Sequence, residues 1–387
     1  MACAGKHIGL DAHLLSMRQD YRAAGVSRYI DRLLHYLPSV EPSHRYTAFV
    51  GFPCADLPPT VEQWVSAWPT GRPAARIFWE QIAGPLAAHR AGIDLWHSLV
   101  NVQPLLLPRP AVVTIQDLSF VVYPERFRAS NRLYNRLFVR LSAGRARHII
   151  VTSESTKRDI IRHYRLPESK ISVAHLAADE GFRPIEDRAA VAAFRRSKGL
   201  PERLILYVGT IEPRKNLARL IEAFGQLCGR GEVAHHLVIG GGKGWMYDQV
   251  YARVQELGLQ ERVHFPGFIP QEELAWWYNA AEIMTYPSLY EGFGLPPLEA
   301  MACGTPVVVS RISSLPEIVG DAAIQVDPYD VGEMAEALHQ LATAPALRAD
   351  KRAAGLQRAA LFSWARTAER TLAIYQRLFD DERSAHV

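Results

Sequence analysis

Residues 290–306 of this 387-residue chain read YEGFGLPPLEAMACGTP, and no other stretch leaves the fold so little choice. Glu291 and Glu299 stand eight positions apart, with a glycine-containing turn and the pair Pro296 and Pro297 between them. Proline suits the first turn of a helix, where its missing N–H had no partner and its φ is already helical. Gly304 then stops a short helix before the β-branched run 307–309. The loop 291–295 therefore presents its amides at the positive end of a helix, an arrangement that attracts phosphate. Glu299 is expected in the first turn of that helix, facing the same place. An acceptor-only carboxylate there suits vicinal hydroxyls, such as those of a ribose. Either glutamate alone would read as a loop charge, or as an acid at a helix start, where acids generally collect. The whole string, with Gly292, Gly294 and Gly304 in place, leaves that plain reading little room. It predicts one carboxylate for a sugar, one for a nucleoside, and amide donors for a diphosphate between them.

On either side of the string, short apolar runs alternate with helical patterns, the signature of a parallel α/β sheet. In the first half, strands are expected at 7–11, 46–51, 94–97, 111–115 and 148–152, and helices at about 27–37, 76–90 and 131–143. A second series follows, with strands at 204–208, 236–239, 262–265, 283–286 and 323–326. Its helices fall at 217–227, 246–257 and 272–281. Between the two the chain turns polar over about 181–201, with Pro184, Glu186, Asp187 and Arg188. The expected domains are 1–185 and 186–365, with 366–387 set apart and a last helix at roughly 363–379. The halves share a pattern and no repeated sequence. Two doubly wound, Rossmann-like sheets would hold ligand outside the carboxyl ends of their strands.

Charge also separates the halves. Residues 1–185 hold 23 Lys and Arg against 15 Asp and Glu, a net of +8; the remainder, with 21 against 25, carries −4. Such asymmetry points to a different partner for each half. Arg128, Arg132, Arg136 and Arg140 recur every four residues, Arg145 and Arg147 follow, and Leu133, Leu137 and Leu141 run beside them. One reading is a solvated helix face over a core stripe. The other is a basic and apolar surface for anionic lipid headgroups or a diphosphate-linked lipid acceptor. The first residues lack the apolar stretch of a secretory leader, and no run approaches the roughly 18 apolar residues of a membrane span. Four scattered cysteines without a CxxC fit free thiols in a reducing cytosol. A cytoplasmic protein is expected, touching an anionic membrane peripherally and not binding nucleic acid.

The string EGFGLPPLEAMACGTPVV, with its E-x7-E spacing, resembles the signature of the group 1 (GT4-type) retaining glycosyltransferases. The resemblance runs from Ile8 to about Phe379 and is densest in the second half. It implies the GT-B fold: two Rossmann-like domains with a cleft between them and a terminal helix that packs back on the first. It also implies a nucleotide sugar as substrate and no separate cofactor. GVSRY at 25–29 resembles the family's first glycine loop, which would make Gly25 a contact for donor phosphate; a plain turn glycine is the alternative. VTSESTKRDIIRHY at 151–164 is also similar to the family, which more often has V-S-E-x-S-K there. GTIEPRKN at 209–216 follows the first strand of the second half, so Gly209, Arg214 and Lys215 stand where phosphate would arrive. Arginine supplies a planar fork and lysine a mobile point charge, which together can neutralise a diphosphate leaving group. Adjacent basic residues on a loop are otherwise simply solvated. GGGKG at 240–244 resembles another donor-facing loop.

Retaining transfer needs a stabilised leaving group more than a strong base, because negative charge builds on the departing diphosphate. Glu291, Arg214, Lys215 and Gln116 are the expected catalytic groups. The amides of Gly292, Phe293, Gly294 and Leu295, with Glu299, are the expected donor-binding ones. No D-x-D occurs, so a Mg²⁺-diphosphate clamp has no evident ligands and a metal-independent mechanism is expected. The 14 histidines form no HExxH, and His13, His97 and His175 read as packing or strand-end residues. One departure stands out. Where the family commonly has His-Asp-Leu, this chain has Gln116, Asp117 and Leu118. The family's histidine touches the sugar, and Gln116 in its place can hydrogen-bond a hydroxyl but cannot change charge. The expected reaction moves a hexose to a saccharide or lipid-linked saccharide acceptor in cell-surface polysaccharide synthesis. Similarity to bacterial mannosyltransferases favours mannose from GDP-mannose, with glucose from UDP-glucose next. The rivals are a GT-B epimerase or phosphorylase, against which E-x7-E speaks, and a non-catalytic nucleotide-sugar-binding protein, for which only Gln116 speaks.

Overall fold

The two series of apolar runs build two parallel sheets. A computed structural model describes residues 5–16, 25–70, 73–107, 109–124, 129–244 and 247–385. The chain divides into two units, one reaching to Leu176 and taking in Trp364 onward, the other formed by Ala177–Ser363. Residues 177–185 thus go with the second unit. There Asn279 donates to the Arg183 carbonyl at 3.0 Å and accepts from the Ile185 amide at 2.8 Å. The polar stretch 181–201 is not a bare linker, because it holds the helix Arg188–Ser197, whose Ala190 amide is capped by Asp187 at 2.9 Å.

The first sheet contains β1 (His7–Asp11), β2 (Arg45–Val50), β3 (Val61–Val65), β4 (Leu95–Ser98), β5 (Ala111–Ile115), β6 (His148–Val151) and β7 (Ile171–Val173). Its order is β3-β2-β1-β4-β5-β6-β7, and every pairing is parallel. Strands β1, β4, β5 and β6 are buried along their whole length, as expected of a sheet covered on both faces. Strands β3 and β7 had no sequence signal. The first is an edge strand with only Val61 buried, and the second is three residues long. Helix Gly25–Val40 covers the sheet with Tyr29, Ile30, Leu33, Leu34 and Leu37, a helical spacing of apolar residues. The terminal helix Trp364–Ala385 packs against that helix and reaches the sheet through Tyr375, whose hydroxyl lies 2.5 Å from His97 Nδ1. Burial pushes His97 down to about 3, so the ring is neutral and serves packing.

The second sheet contains β8 (Leu204–Val208), β9 (His236–Gly240), β10 (Val263–Gly267), β11 (Ile283–Tyr286), β12 (Val307–Ser310) and β13 (Ile324–Val326). The order β10-β9-β8-β11-β12-β13 is again wholly parallel. The direction of strand succession reverses between β8 and β11. Loops leaving those two neighbours diverge there, and the crevice they leave is where doubly wound sheets take their ligands.

Helix Ala129–Arg145 settles the basic segment. Its inward face is Tyr134, Phe138, Val139, Ala143 and then Ala146, packed on β5 and β6. Leu133, Leu137 and Leu141 are not the core stripe; they are exposed, with Arg136 and Arg140 beside them.

Candidate functional site

The site lies at that reversal in the second unit. Strand β8 ends at Val208, and Gly209 turns the chain with φ 151°, where a Cβ would come within 2.7 Å of the Tyr207 hydroxyl. Only glycine lets the backbone leave the strand this way. A single 3₁₀ turn, Pro213–Lys215, follows; Asn216, with φ 61°, then opens helix Leu217–Gly229. The neighbouring strand β11 ends at Tyr286 and leads into the loop that holds Glu291. The two loops are joined directly, the Leu289 amide donating to the Arg214 carbonyl at 2.9 Å.

Side chains complete the junction. Lys215 Nζ donates to Glu291 Oε1 at 2.6 Å and to the Tyr286 hydroxyl at 2.7 Å. Arg214 Nη1 donates to Glu291 Oε2 at 3.1 Å and to the Tyr290 carbonyl at 2.7 Å, while its Nε donates to Glu212 Oε1 at 3.0 Å. Lys215 and Glu291 are only 6% and 7% exposed. Burial disfavours charge on Glu291, but Lys215 and Arg214 outweigh it and hold the carboxyl at about 2. Three of the expected residues thus form one buried ionic cluster. The cations are not free, since two carboxylates already answer the two positive charges. Glu212 and Tyr286 gave no sequence signal of their own: Tyr286 matters through Lys215, 71 positions away, and Glu212 through a cluster that forms only when Arg214 meets Glu291, 77 positions on. Ser313 and Ser314 were also missed. Ser313, at φ 62°, accepts from the Glu291 amide and donates to its carbonyl, and Ser314 donates to the Phe293 carbonyl at 2.7 Å.

Helix Leu295–Ala302 starts where the prolines require, after Gly294 at φ 110°. A Cβ at Gly294 would meet Leu315 Cδ2 at 2.7 Å. Pro296 and Pro297 bring no N–H, so amide donors at this end are confined to Leu295 and the loop before it. Glu299 is not in the first turn, as the sequence had suggested. The helix opens at Leu295, so Glu299 lies one turn further in, 2% exposed, accepting from the Tyr278 hydroxyl at 2.9 Å.

Gln116 and Gly25 belong to the first unit. Gln116 follows β5; its amide donates to Asn101 Oδ1 at 2.9 Å, and its carbonyl accepts from Thr152 at 3.2 Å. Its side-chain Nε2 is buried and has no hydrogen-bond partner among the described residues. Gly25 opens helix Gly25–Val40, and Ser27 pins that turn by accepting from the Ser16 amide at 2.9 Å. Ala24 before it, like Met246, lies outside the described residues. The first unit also buries His13 between Asp11 and Glu80, which together raise the ring to about 10 despite its burial. His13 is therefore charged, a feature the sequence did not announce.

Two family descriptions match the chain, "Glycosyltransferase Family 4" over residues 23–181 and "Glycosyl transferases group 1" over 192–358. The O-antigen chain mannosyltransferase B of Escherichia coli is 33% identical over 268 residues, covering 69% of this chain and 70% of that protein. The serotype-specific mannosyltransferase WbdA of Escherichia coli is 28% identical over 281 residues; the match takes in 72% of this chain but only 34% of that longer protein. Among solved structures, that of Anabaena Alr3699/HepE in complex with UDP and glucose superposes with a TM-score of 0.76 at 18% identity, covering 96% of this chain and 100% of that one.

Proposed function

We propose, starting from the fact that this chain belongs to the group 1 glycosyltransferases, that it moves mannose from GDP-mannose to a saccharide or lipid-linked saccharide acceptor with retention of anomeric configuration. The observation that carries this reading is the buried cluster of Glu291, Lys215, Arg214 and Glu212 where β8 and β11 diverge. In the reaction the bond from C1 of the sugar to the diphosphate oxygen breaks, its electron pair leaving with the nucleoside diphosphate, while the acceptor hydroxyl oxygen bonds to C1 on the same face and its proton passes to the departing phosphate oxygen. Arg214 and Lys215 meet that charge as it develops, exchanging part of their contact with Glu291 and Glu212 for phosphate oxygens. Glu291, kept ionised by both cations, accepts from hydroxyls of the donor sugar. The loop amides of Gly292, Phe293 and Gly294, with that of Leu295, take the diphosphate; Gly209, whose own N–H is held by the Gly240 carbonyl at 2.9 Å, lets phosphate approach the backbone closely, and Glu299 takes the ribose. In the first unit, the unpartnered Nε2 of Gln116 is a donor for a sugar hydroxyl, and Gly25 permits close approach of phosphate.

Mannose is preferred over glucose because the two E. coli relatives are named mannosyltransferases, whereas the HepE structure holds UDP and glucose. The absence of D-x-D from the sequence, with two protein cations in the cluster, supports a reaction without a metal clamp. Polysaccharide assembly on a lipid carrier would keep the protein in the cytosol, peripherally on an anionic membrane. No helix among the described residues is long and apolar enough to cross one. The test is release of nucleoside diphosphate from GDP-mannose and UDP-glucose, with and without an oligosaccharide acceptor. Acceptor-dependent GDP release is expected. Acceptor-independent turnover would indicate an epimerase or phosphorylase, no release from either donor would indicate a non-catalytic binding protein, and faster UDP release would move the donor to UDP-glucose.

A further inference from the structure

Far from the ionic cluster in sequence, the first unit carries a cavity of about 450 Å³ at the amino ends of β5, β6 and β7. Four cations line it: Arg109 before β5, Arg145 and Arg147 before β6, and Lys170 before β7. No carboxylate lines it among the described residues. Lys170 has a local reason to be there, since its Nζ donates to the Gly144 carbonyl at 2.6 Å, at the negative end of helix Ala129–Arg145. Arg145, in the last turn of that helix, shares the reason, whereas Arg109 and Arg147 have none; none of the three arginines makes an ion pair among the described residues. Four like charges gathered without a counter-ion raise one another's energy, and burial together with Arg147 already pushes Lys170 down. An anion in the cavity would relieve that repulsion.

A second feature narrows the anion. Gln103 lines the same cavity, is 2% exposed, and its Oε1 is buried without a hydrogen-bond partner among the described residues. Its position is held firmly: its amide donates to Ser142 Oγ at 3.0 Å, and its carbonyl accepts from Gln81 at 3.2 Å. An unpaired buried amide oxygen is costly, and it calls for a donor. Phosphate at neutral pH offers acceptors, so the ligand must bring a hydroxyl as well. Leu105 and Leu107 supply an apolar wall for the carbons between.

The third feature is continuity. The helix whose last residue, Arg145, lines the cavity carries Leu133, Leu137 and Leu141 on its outer face, 71%, 51% and 40% exposed. Its core face is already satisfied by other residues. A row of exposed leucines beside exposed arginines is what an interfacial helix shows to an anionic bilayer. We infer that this face docks on an anionic phosphoglycerolipid surface, the cavity taking a glycerophosphate headgroup by its phosphate and hydroxyl while the leucine row enters the acyl boundary. The inference deepens the peripheral membrane contact proposed above and rests on that part of the reading, not on the identity of the donor.

Co-sedimentation with phosphatidylglycerol–phosphatidylcholine vesicles, against pure phosphatidylcholine, tests it. Wild-type protein should bind the anionic vesicles at least tenfold better, and binding should weaken with salt. Arg145→Glu/Arg147→Glu should lose at least tenfold in binding, and Leu137→Ser/Leu141→Ser should lose a similar amount. Both variants should keep nucleoside diphosphate release with a soluble acceptor, which shows that they are folded. If wild type binds anionic vesicles and the Arg145/Arg147 variant binds them equally well, the membrane contact stands and the cavity assignment falls. If wild type binds neither vesicle, both fall while transferase activity remains separately measurable. Saturable binding of free glycerol 3-phosphate, without vesicle binding, would make this a site for a soluble phosphate ester and overturn the lipid assignment.

Discussion

Glu291 holds two cations with its two oxygens, and that geometry decides what its removal should do. Its folded carboxyl titrates near 2 against an ordinary 4.5, so it is a depressed acid. Its contribution to stability is present above pH 4.5 and lost as the pH falls through 2. Thermal melts between those limits should therefore fall more steeply for wild type than for Glu291→Gln, and parallel slopes would reject the ionic cluster. Glu299 and Arg214 should separate in kinetics. Loss of hydroxyl acceptors in Glu299→Ala should weaken nucleotide binding by about 1–3 kcal/mol, measurable by calorimetry. Arg214→Ala should chiefly lower kcat, because the charge it meets develops in the transition state. Unchanged nucleotide affinity in Glu299→Ala would remove the ribose from that residue. At this scale the residue types were readable in advance, whereas their engagement was not. Arg214 and Lys215 look like free cations in sequence and are partnered in the fold.

Among the elements, helix Leu295–Ala302 was read almost correctly because its boundary signals are chemical and local. Prolines fix its start, and Gly304 closes it at φ 75°. The error at Glu299 was one turn: with the helix opening at Leu295, the two prolines fill the first turn and Glu299 falls in the next. Gly294→Ala tests the turn that opens this helix. The substituted residue would have to hold φ 110° with its Cβ against Leu315, so a loss of about 1–3 kcal/mol is expected in urea melts. A loss below the noise would mean that the turn relaxes freely. Helix Ala129–Arg145 shows the opposite case. Two apolar rows of similar spacing compete along it, and the sheet took the row with Phe138 and Val139.

For the whole molecule, the expectation concerns metal. Activity should survive EDTA if, as proposed, Arg214 and Lys215 answer the charge on the leaving group; loss restored by Mg²⁺ or Mn²⁺ would overturn the proposed metal-independent mechanism. The sequence by itself determined the parallel α/β class, most strands of both sheets and the 290–306 motif. Apolar runs, β-branching and glycine–proline turns act on near neighbours, so they can be read without a fold. Edge strand β3 escaped because an edge buries little and carries no apolar run. Only the tertiary structure decided that Glu291 meets Lys215 and Arg214 across 76 and 77 residues, and that Leu133, Leu137 and Leu141 face outward. The first follows from strand order, which makes β8 and β11 neighbours and brings their loops together. The second follows from packing. A helix can bury only one face against a sheet, and the face chosen depends on the shape of that sheet, which no local pattern encodes.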